Sequence, residues 1–152
     1  MNSKKDFRIF LGGTFRTPTD KKELEKVYNQ LTKKSYSVWW APKQVMRGYD
    51  SDNMELLEQT NRSEQTAIQK SHLFVGVMRR ATFGTAFEIK EAFDWGIPII
   101  GYLLTNHPDF QSGSFRYRVR RIVKDDEELL EAVEVEHKKI YDEKKGYDLH
   151  VG

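Results

Sequence analysis

The chain has 152 residues, 32% of them charged, and its 25 Lys and Arg nearly cancel its 23 Asp and Glu to leave a formal net charge of +2. That length predicts one domain spanning residues 1–152, with no room for a second full domain, and the charge gives no basic field that would recommend a nucleic-acid polymer as main partner. Cysteine is absent, which excludes disulfides, thiolate catalysis and thiolate metal sites and fits a reducing compartment.

In chain order, Phe7-Arg8-Ile9-Phe10-Leu11 is short, aromatic and β-branched and stops at Gly12-Gly13, the pattern of a buried strand entering a turn that approaches a ligand. After the polar loop Thr14 to Thr19, Asp20 and Glu23 have capping-box spacing, and Leu24, Val27, Tyr28 and Leu31 fall on one helical face. Tyr36-Ser37-Val38-Trp39-Trp40 predicts a second strand, ended by Ala41-Pro42. The segment Lys43 to Asp52 is polar and turn-rich around Gly48, and Met54, Leu57, Ala67 and Ile68 predict one long or two short helices running to about Lys70.

Leu73 to Met78 is nearly all apolar, as in a strand covered on both faces. A short loop follows, Gly84 is read as the turn into a helix, and the helix is expected from Thr85 to Trp95, with Gly96 as its stop. Ile97 to Leu104 predicts a fourth strand, with Pro98 tolerated near its start. Beyond the loop Thr105 to Gly113, Arg116 to Val123 predicts a short fifth strand near its end, or loop, and Asp125 with Glu128 opens a terminal helix that buries Leu129, Leu130 and Val133. Strands alternating with helices argue for a parallel sheet of four to five strands with helices on both faces.

The chemistry concentrates at Gly84-Thr85-Ala86-Phe87-Glu88. Thr85 and Glu88 have capping-box spacing, so Glu88 reads as a helix cap. A first-turn carboxylate also sits in the positive field of the helix N-terminus, which favours its ionised form, and an ionised carboxylate in a cleft suits nucleophilic displacement at a sugar carbon. His72, His107, His137 and His150 have no metal-ligand spacing, so a metal-independent site without cofactor is expected. No signal-peptide core or bilayer-length apolar stretch occurs, which predicts a cytoplasmic protein away from membranes.

Through Phe10-Leu11-Gly12-Gly13-Thr14-Phe15 and Gly84-Thr85-Ala86-Phe87-Glu88, and through Ala67 to Val77 and Gly96 to Ile100, the chain resembles the nucleoside 2-deoxyribosyltransferase family, which includes related nucleoside 5′-monophosphate N-hydrolases. The resemblance runs from about Arg8 to Leu103 and implies a flavodoxin-like or Rossmann-like three-layer sandwich. It implies Glu88 as nucleophile at the anomeric carbon and the first segment as sugar contact, in a homodimer or larger assembly whose sites are completed by a neighbouring subunit. Thr82 stands where the family has an Asp, Lys90 where it has a Gly, Glu64 at its helix Asp, and Phe10 where many members have a Tyr.

On that resemblance the expected partner is a small nucleoside or nucleotide. Glu64, its pKa raised by burial and by Glu88, is the expected proton donor, against an ordinary exposed helical Glu. Gly12 and Gly13 would let backbone N–H groups approach the sugar, with Phe15 beside them and Thr14 and Arg16 available for a hydroxyl or phosphate. Arg79 and Arg80 are either a 5′-phosphate clamp or solvated loop residues. Trp40 is assigned to base stacking and Trp39 to the core, although both can be core. Thr82 and Gly84 complete the expected substrate contacts. Two rivals stand beside an N-glycosidic-bond enzyme: a nucleotide-binding module without turnover, and a TIR-like NAD-cleaving signalling domain.

Overall fold

The structure, a computed structural model, describes residues 4–44 and 52–151, with side chains through residue 142. The turn expected around Gly48 and the His150 side chain lie outside the described residues.

Five strands form one all-parallel sheet in the order β2-β1-β3-β4-β5, from β1 (Arg8–Gly13), β2 (Ser37–Trp40), β3 (Leu73–Met78), β4 (Ile99–Leu103) and β5 (Arg121–Val123). The helices are α1 (Pro18–Lys33), α2 (Ala41–Gln44), α3 (Met54–Gln69), α4 (Phe83–Asp94), α5 (Gly113–Arg118) and α6 (Asp126–Val151). This is the flavodoxin-like three-layer α/β architecture. All six residues of β3 are buried, as its uninterrupted apolar run requires of a central strand.

Period-2 alternation splits the strand residues between two cores. On one face Ile9, Leu11, Val75 and Val77 meet Leu24, Val27 and Leu31 of α1 and Leu129 and Val133 of α6. On the other, Phe10, Phe74, Ile99 and Leu103 meet Ile68 of α3 and Ile89 and Ala92 of α4.

Several local expectations are corrected. The cap of α1 is Thr17, whose side chain accepts from Asp20 N at 3.1 Å, with Pro18 opening the helix; the fixed φ of proline suits that first position better than Asp20 suits the cap. Proline after Ala41 does not simply end β2 but sits in the first turn of α2. Residues between Met54 and Gln69 form a single helix capped by Asn53. The short strand expected near the end of Arg116 to Val123 is β5, while Arg116 to Arg118 ahead of it belong to α5, where Phe115 packs on Phe110 and Tyr117 on Phe93. The Asp125–Glu128 cap of α6 is present, with Glu128 N donating to Asp125 at 2.8 Å and Lys124 N donating to Glu128 at 2.7 Å.

At the N-terminal end of the strands His137 lies 4.9 Å from the Phe7 ring and 5.8 Å from that of Tyr36. Its Nε2 is buried without a hydrogen-bond partner, as is the Tyr36 hydroxyl. Burial, and then the charge of Lys4, holds the imidazole below its ordinary pKa of 6.5, while burial and Glu134 push Tyr36 up to about 12. The unfolded chain therefore takes up a proton near pH 6.5 that the folded chain resists, so stability is full above that pH and falls as the pH drops below it. As the pH drops from 7.5 to 5, the melting temperature of the wild type should fall relative to that of His137→Phe, whose Glu88 contribution is the same; a difference that stays constant across this range would remove His137 as a cause.

Candidate active site

A cleft of about 790 Å³ opens beyond the C-terminal ends of β1 and β3, the point where strand order reverses and where open α/β sheets hold ligands. Its walls come from three chain segments. The end of β1 and the following loop give Gly13, Thr14, Phe15 and Arg16; α3 gives Asn61, Glu64, Gln65 and Ile68; the start of α4 gives Thr82, Gly84, Thr85, Phe87, Glu88 and Glu91.

Glu88 is not a cap. The N-cap of α4 is Thr82, whose hydroxyl oxygen accepts from Thr85 N at 3.4 Å and donates to Thr85 Oγ1 at 3.1 Å. Helix thus begins at Phe83, and Glu88 falls in the second turn, free of capping duty. Its carboxylate turns back toward β1, where its Oε1 would lie 3.2 Å from a Cβ placed on Gly12.

The electrostatics also reverse the expectation from the helix N-terminus. The Glu88 pKa is raised well above its ordinary 4.5, first by burial, then by the charge of Glu64 and by a hydrogen bond between the two side chains. Desolvation and a like charge in contact outweigh a helix field that fades beyond the first turn. All three effects favour the protonated form of Glu88. Glu64 itself is buried at 8% exposure, which removes the ordinary exposed helical Glu as its description.

Other expected contacts divide. Gly13, Thr14, Phe15, Arg16, Thr82 and Gly84 line the cleft with Glu64 and Glu88, and Gly12 backs Glu88. Arg79 does not line it; its guanidinium is held by Glu23 of α1 through two hydrogen bonds, one of 3.1 Å from Nε. Exposed Arg80 is not in the wall either. Trp40 is core, 2% exposed and packed 5.5 Å from the Tyr28 ring of α1. Trp39 is the half-buried one, stacked 5.0 Å from Phe10. Phe10 lies between Trp39 and Phe74 and has no polar atom to orient a nucleophile. Lys90 is exposed and paired with Asp94 at 2.5 Å.

Asn61, Gln65, Phe87 and Glu91 also line the cleft but were not expected there. Asn61, Gln65 and Ile68 share the helical face of Glu64 at three- and four-residue spacing, a signal available in the sequence once Glu64 is placed. Phe83 and Phe87 are 84% and 68% exposed and stack at 6.2 Å, leaving an aromatic rim beside Glu88. Among the described residues no group of three His, Asp or Glu side chains converges for a metal ion, and no helix is long and apolar enough to cross a membrane.

Gly84 does not make the tight turn read from sequence. It sits inside α4, and a Cβ there would meet nothing within 4 Å. Its missing side chain leaves cleft volume instead. Gly84→Leu is therefore expected to keep or slightly raise the melting temperature while weakening ligand binding at least about tenfold by filling the cleft; a variant that binds normally would show that no ligand approaches Gly84. Calorimetric titration beside a thermal melt reads both quantities.

No family model matches the chain, and no curated protein matches it. Among solved structures the chain has the fold of a 2-deoxyribosyltransferase from the psychrotolerant bacterium Bacillus psychrosaccharolyticus, with a TM-score of 0.70 at 14% identity over 80% of this chain and 89% of that one. It is also similar to a CMP N-glycosidase of Clostridium botulinum, with a TM-score of 0.50 at 19% identity over 84% of this chain and 98% of that one. At these identities the likeness establishes the fold. It is the fold of the family that the Gly12-Gly13 and Gly84-to-Glu88 segments resemble.

Proposed function

We propose that the protein cleaves or transfers the N-glycosidic bond of (deoxy)nucleosides or their 5′-monophosphates through a glycosyl-enzyme intermediate on Glu88. The observation that carries this reading is the Glu64–Glu88 pair, two carboxyl groups in hydrogen-bond contact inside a cleft at the switch point of the sheet. The names of two structures with this fold, a deoxyribosyltransferase and a nucleotide N-glycosidase, support the same bond as the target.

With one proton between them, the pair supplies both groups that the reaction needs. The proton favoured on Glu88 passes to Glu64 across their hydrogen bond as substrate binds, and Glu88 then attacks C1′ as the carboxylate. The C1′–N bond breaks, its electron pair goes to the base nitrogen, and Glu64 delivers the proton there. An acceptor base or water then attacks C1′, the ester to Glu88 breaks, and Glu64 takes up the proton of the incoming nucleophile. Thr14, Arg16 and Phe87 line the same cleft, which supports Thr14 and Arg16 as contacts of the sugar hydroxyl or a phosphate and Phe87 as a face for the base. The exposed Phe83–Phe87 rim supports assembly as a homodimer or larger oligomer that completes the cleft.

Free base should appear when the protein is incubated with deoxynucleosides, ribonucleosides and their 5′-monophosphates, with and without an acceptor base, followed by chromatography. Because the pair must hold one proton, the rate is expected to fall on both sides of an optimum, as a second proton binds and as the first is lost. Absence of release from every substrate would favour a nucleotide-binding module. Thr82, whose hydroxyl is engaged in the cap of α4 where the family has an ionisable Asp, favours that second reading.

A further inference from the structure

A separate cavity of about 550 Å³ lies against β1, the edge strand β2 and α3, and it shares no lining residue with the cleft that holds Glu88. It exists because α3 turns the small residues Ser63, Thr66 and Ala67 toward it, at the three- and four-residue spacing that puts them on one face. Side chains of that size stop short of Trp39, which stays half-buried with one face stacked on Phe10 at 5.0 Å and 14°. A core helix with Leu or Ile at these positions would close the gap.

The lining chemistry is one-sided. Arg8, Arg62 and Lys70 line the cavity together with the hydroxyl residues Ser37, Ser63 and Thr66, and no Asp or Glu lines it among the described residues. Arg8 is pre-oriented, since its Nε donates to the backbone carbonyl of Lys70 at 2.6 Å, which leaves the terminal guanidinium nitrogens for another acceptor. The Arg62 partner is the exposed Glu58 one helical turn away, a pair that an incoming anion replaces at little cost. The chain as a whole is nearly neutral at +2, so this is a local positive site and not part of a general basic surface.

We propose that this cavity is a second ligand site, for a small phosphorylated molecule that carries an aromatic ring, such as a nucleoside polyphosphate. Arg8, Arg62 and Lys70 hold the phosphates, the hydroxyls donate to remaining oxygens, and the ring lies against Trp39. Guanidinium groups bind phosphate oxygens in pairs and an ammonium adds a point charge. The volume suits a small molecule. The site does not depend on the chemistry proposed for Glu88.

The test is calorimetric titration of the full chain with pyrophosphate and, separately, with ATP, at two salt concentrations. Saturable binding of both probes is expected, weaker at high salt, and at least about tenfold weaker in the Arg62→Gln/Lys70→Gln double variant, which loses two charge-assisted contacts. Trp39→Leu should weaken ATP several-fold and leave pyrophosphate unchanged. The double variant changes only exposed side chains and keeps the fold, so it carries the test even where Trp39→Leu melts early. Absence of saturable binding for both probes overturns the proposal. So does binding that the double variant leaves intact, which would put the anion in the Glu88 cleft, and so does ATP binding no tighter than that of pyrophosphate.

Discussion

Glu88→Gln is expected to reduce base release by at least about a thousandfold in kcat/KM and, at neutral pH, to raise the melting temperature. Glutamine keeps the shape of the side chain and can still hydrogen-bond Glu64, but it cannot form the glycosyl ester. The stability gain follows from the raised pKa. Burial and Glu64 make the folded protein hold a proton on this pair above the ordinary value of 4.5 that applies in the unfolded chain. Between those two values the unfolded chain binds fewer protons than the folded one, so stability falls as the pH rises above about 4.5. Glutamine removes that loss, and the gain should be present at pH 7 and absent at pH 4. Chromatography of released base and melts at the two pH values read both effects. Undiminished release would place the nucleophile elsewhere, and a lower melting temperature at pH 7 would contradict the strained pair.

Gly13→Ala should destabilise the fold by about 3 kcal/mol or more. Gly13 has φ +148°, a conformation that side chains rarely adopt, and an added Cβ would lie 2.5 Å from the carbonyl oxygen of Val77 and 3.0 Å from Leu24. The obstacle is backbone. Gly13 is paired in register with Val77 on β3, whose six residues are all buried, so neither strand can retreat. Gly12→Ala makes a useful contrast, because its Cβ would meet the Phe74 ring at 2.8 Å and Glu88 Oε1 at 3.2 Å, both side chains. It should cost less stability and act on turnover by displacing Glu88. Urea unfolding of both variants checks the order; a Gly13→Ala loss below about 1 kcal/mol would mean the turn yields more easily than its geometry indicates.

The strands were legible because burial on both faces leaves a continuous apolar run, as from Leu73 to Met78. The nucleophile candidate was legible because a carboxylate after Gly84-Thr85, just beyond that run, has to fall near the strand ends. What the sequence concealed depends on contacts between distant segments. Thr82 and Thr85 both offer a hydroxyl three residues before another polar side chain, and only the path out of β3 selects Thr82 as cap. Trp39 and Trp40 must face opposite sides of β2, yet nothing local says which side carries α1; Tyr28 decides it by packing on Trp40. Arg79 reads as a free loop cation until Glu23, 56 residues away, is brought beside it. Whether Glu88 carries a charge was equally hidden, because it turns first on burial in the folded cleft and then on Glu64 of another helix.

The sheet finishes on one side with β5, a strand of three residues. Arg120 and Arg121 are pinned there to Glu136 of α6, at 3.2 and 3.0 Å, and Glu136 is 1% exposed. A stray chain that tried to zip onto this border would find few backbone groups to pair with and two fixed cations at its start. Removing both arginines would strip that guard and strand a buried carboxylate at once. The same small cluster therefore leaves this border of the sheet little to offer an added strand.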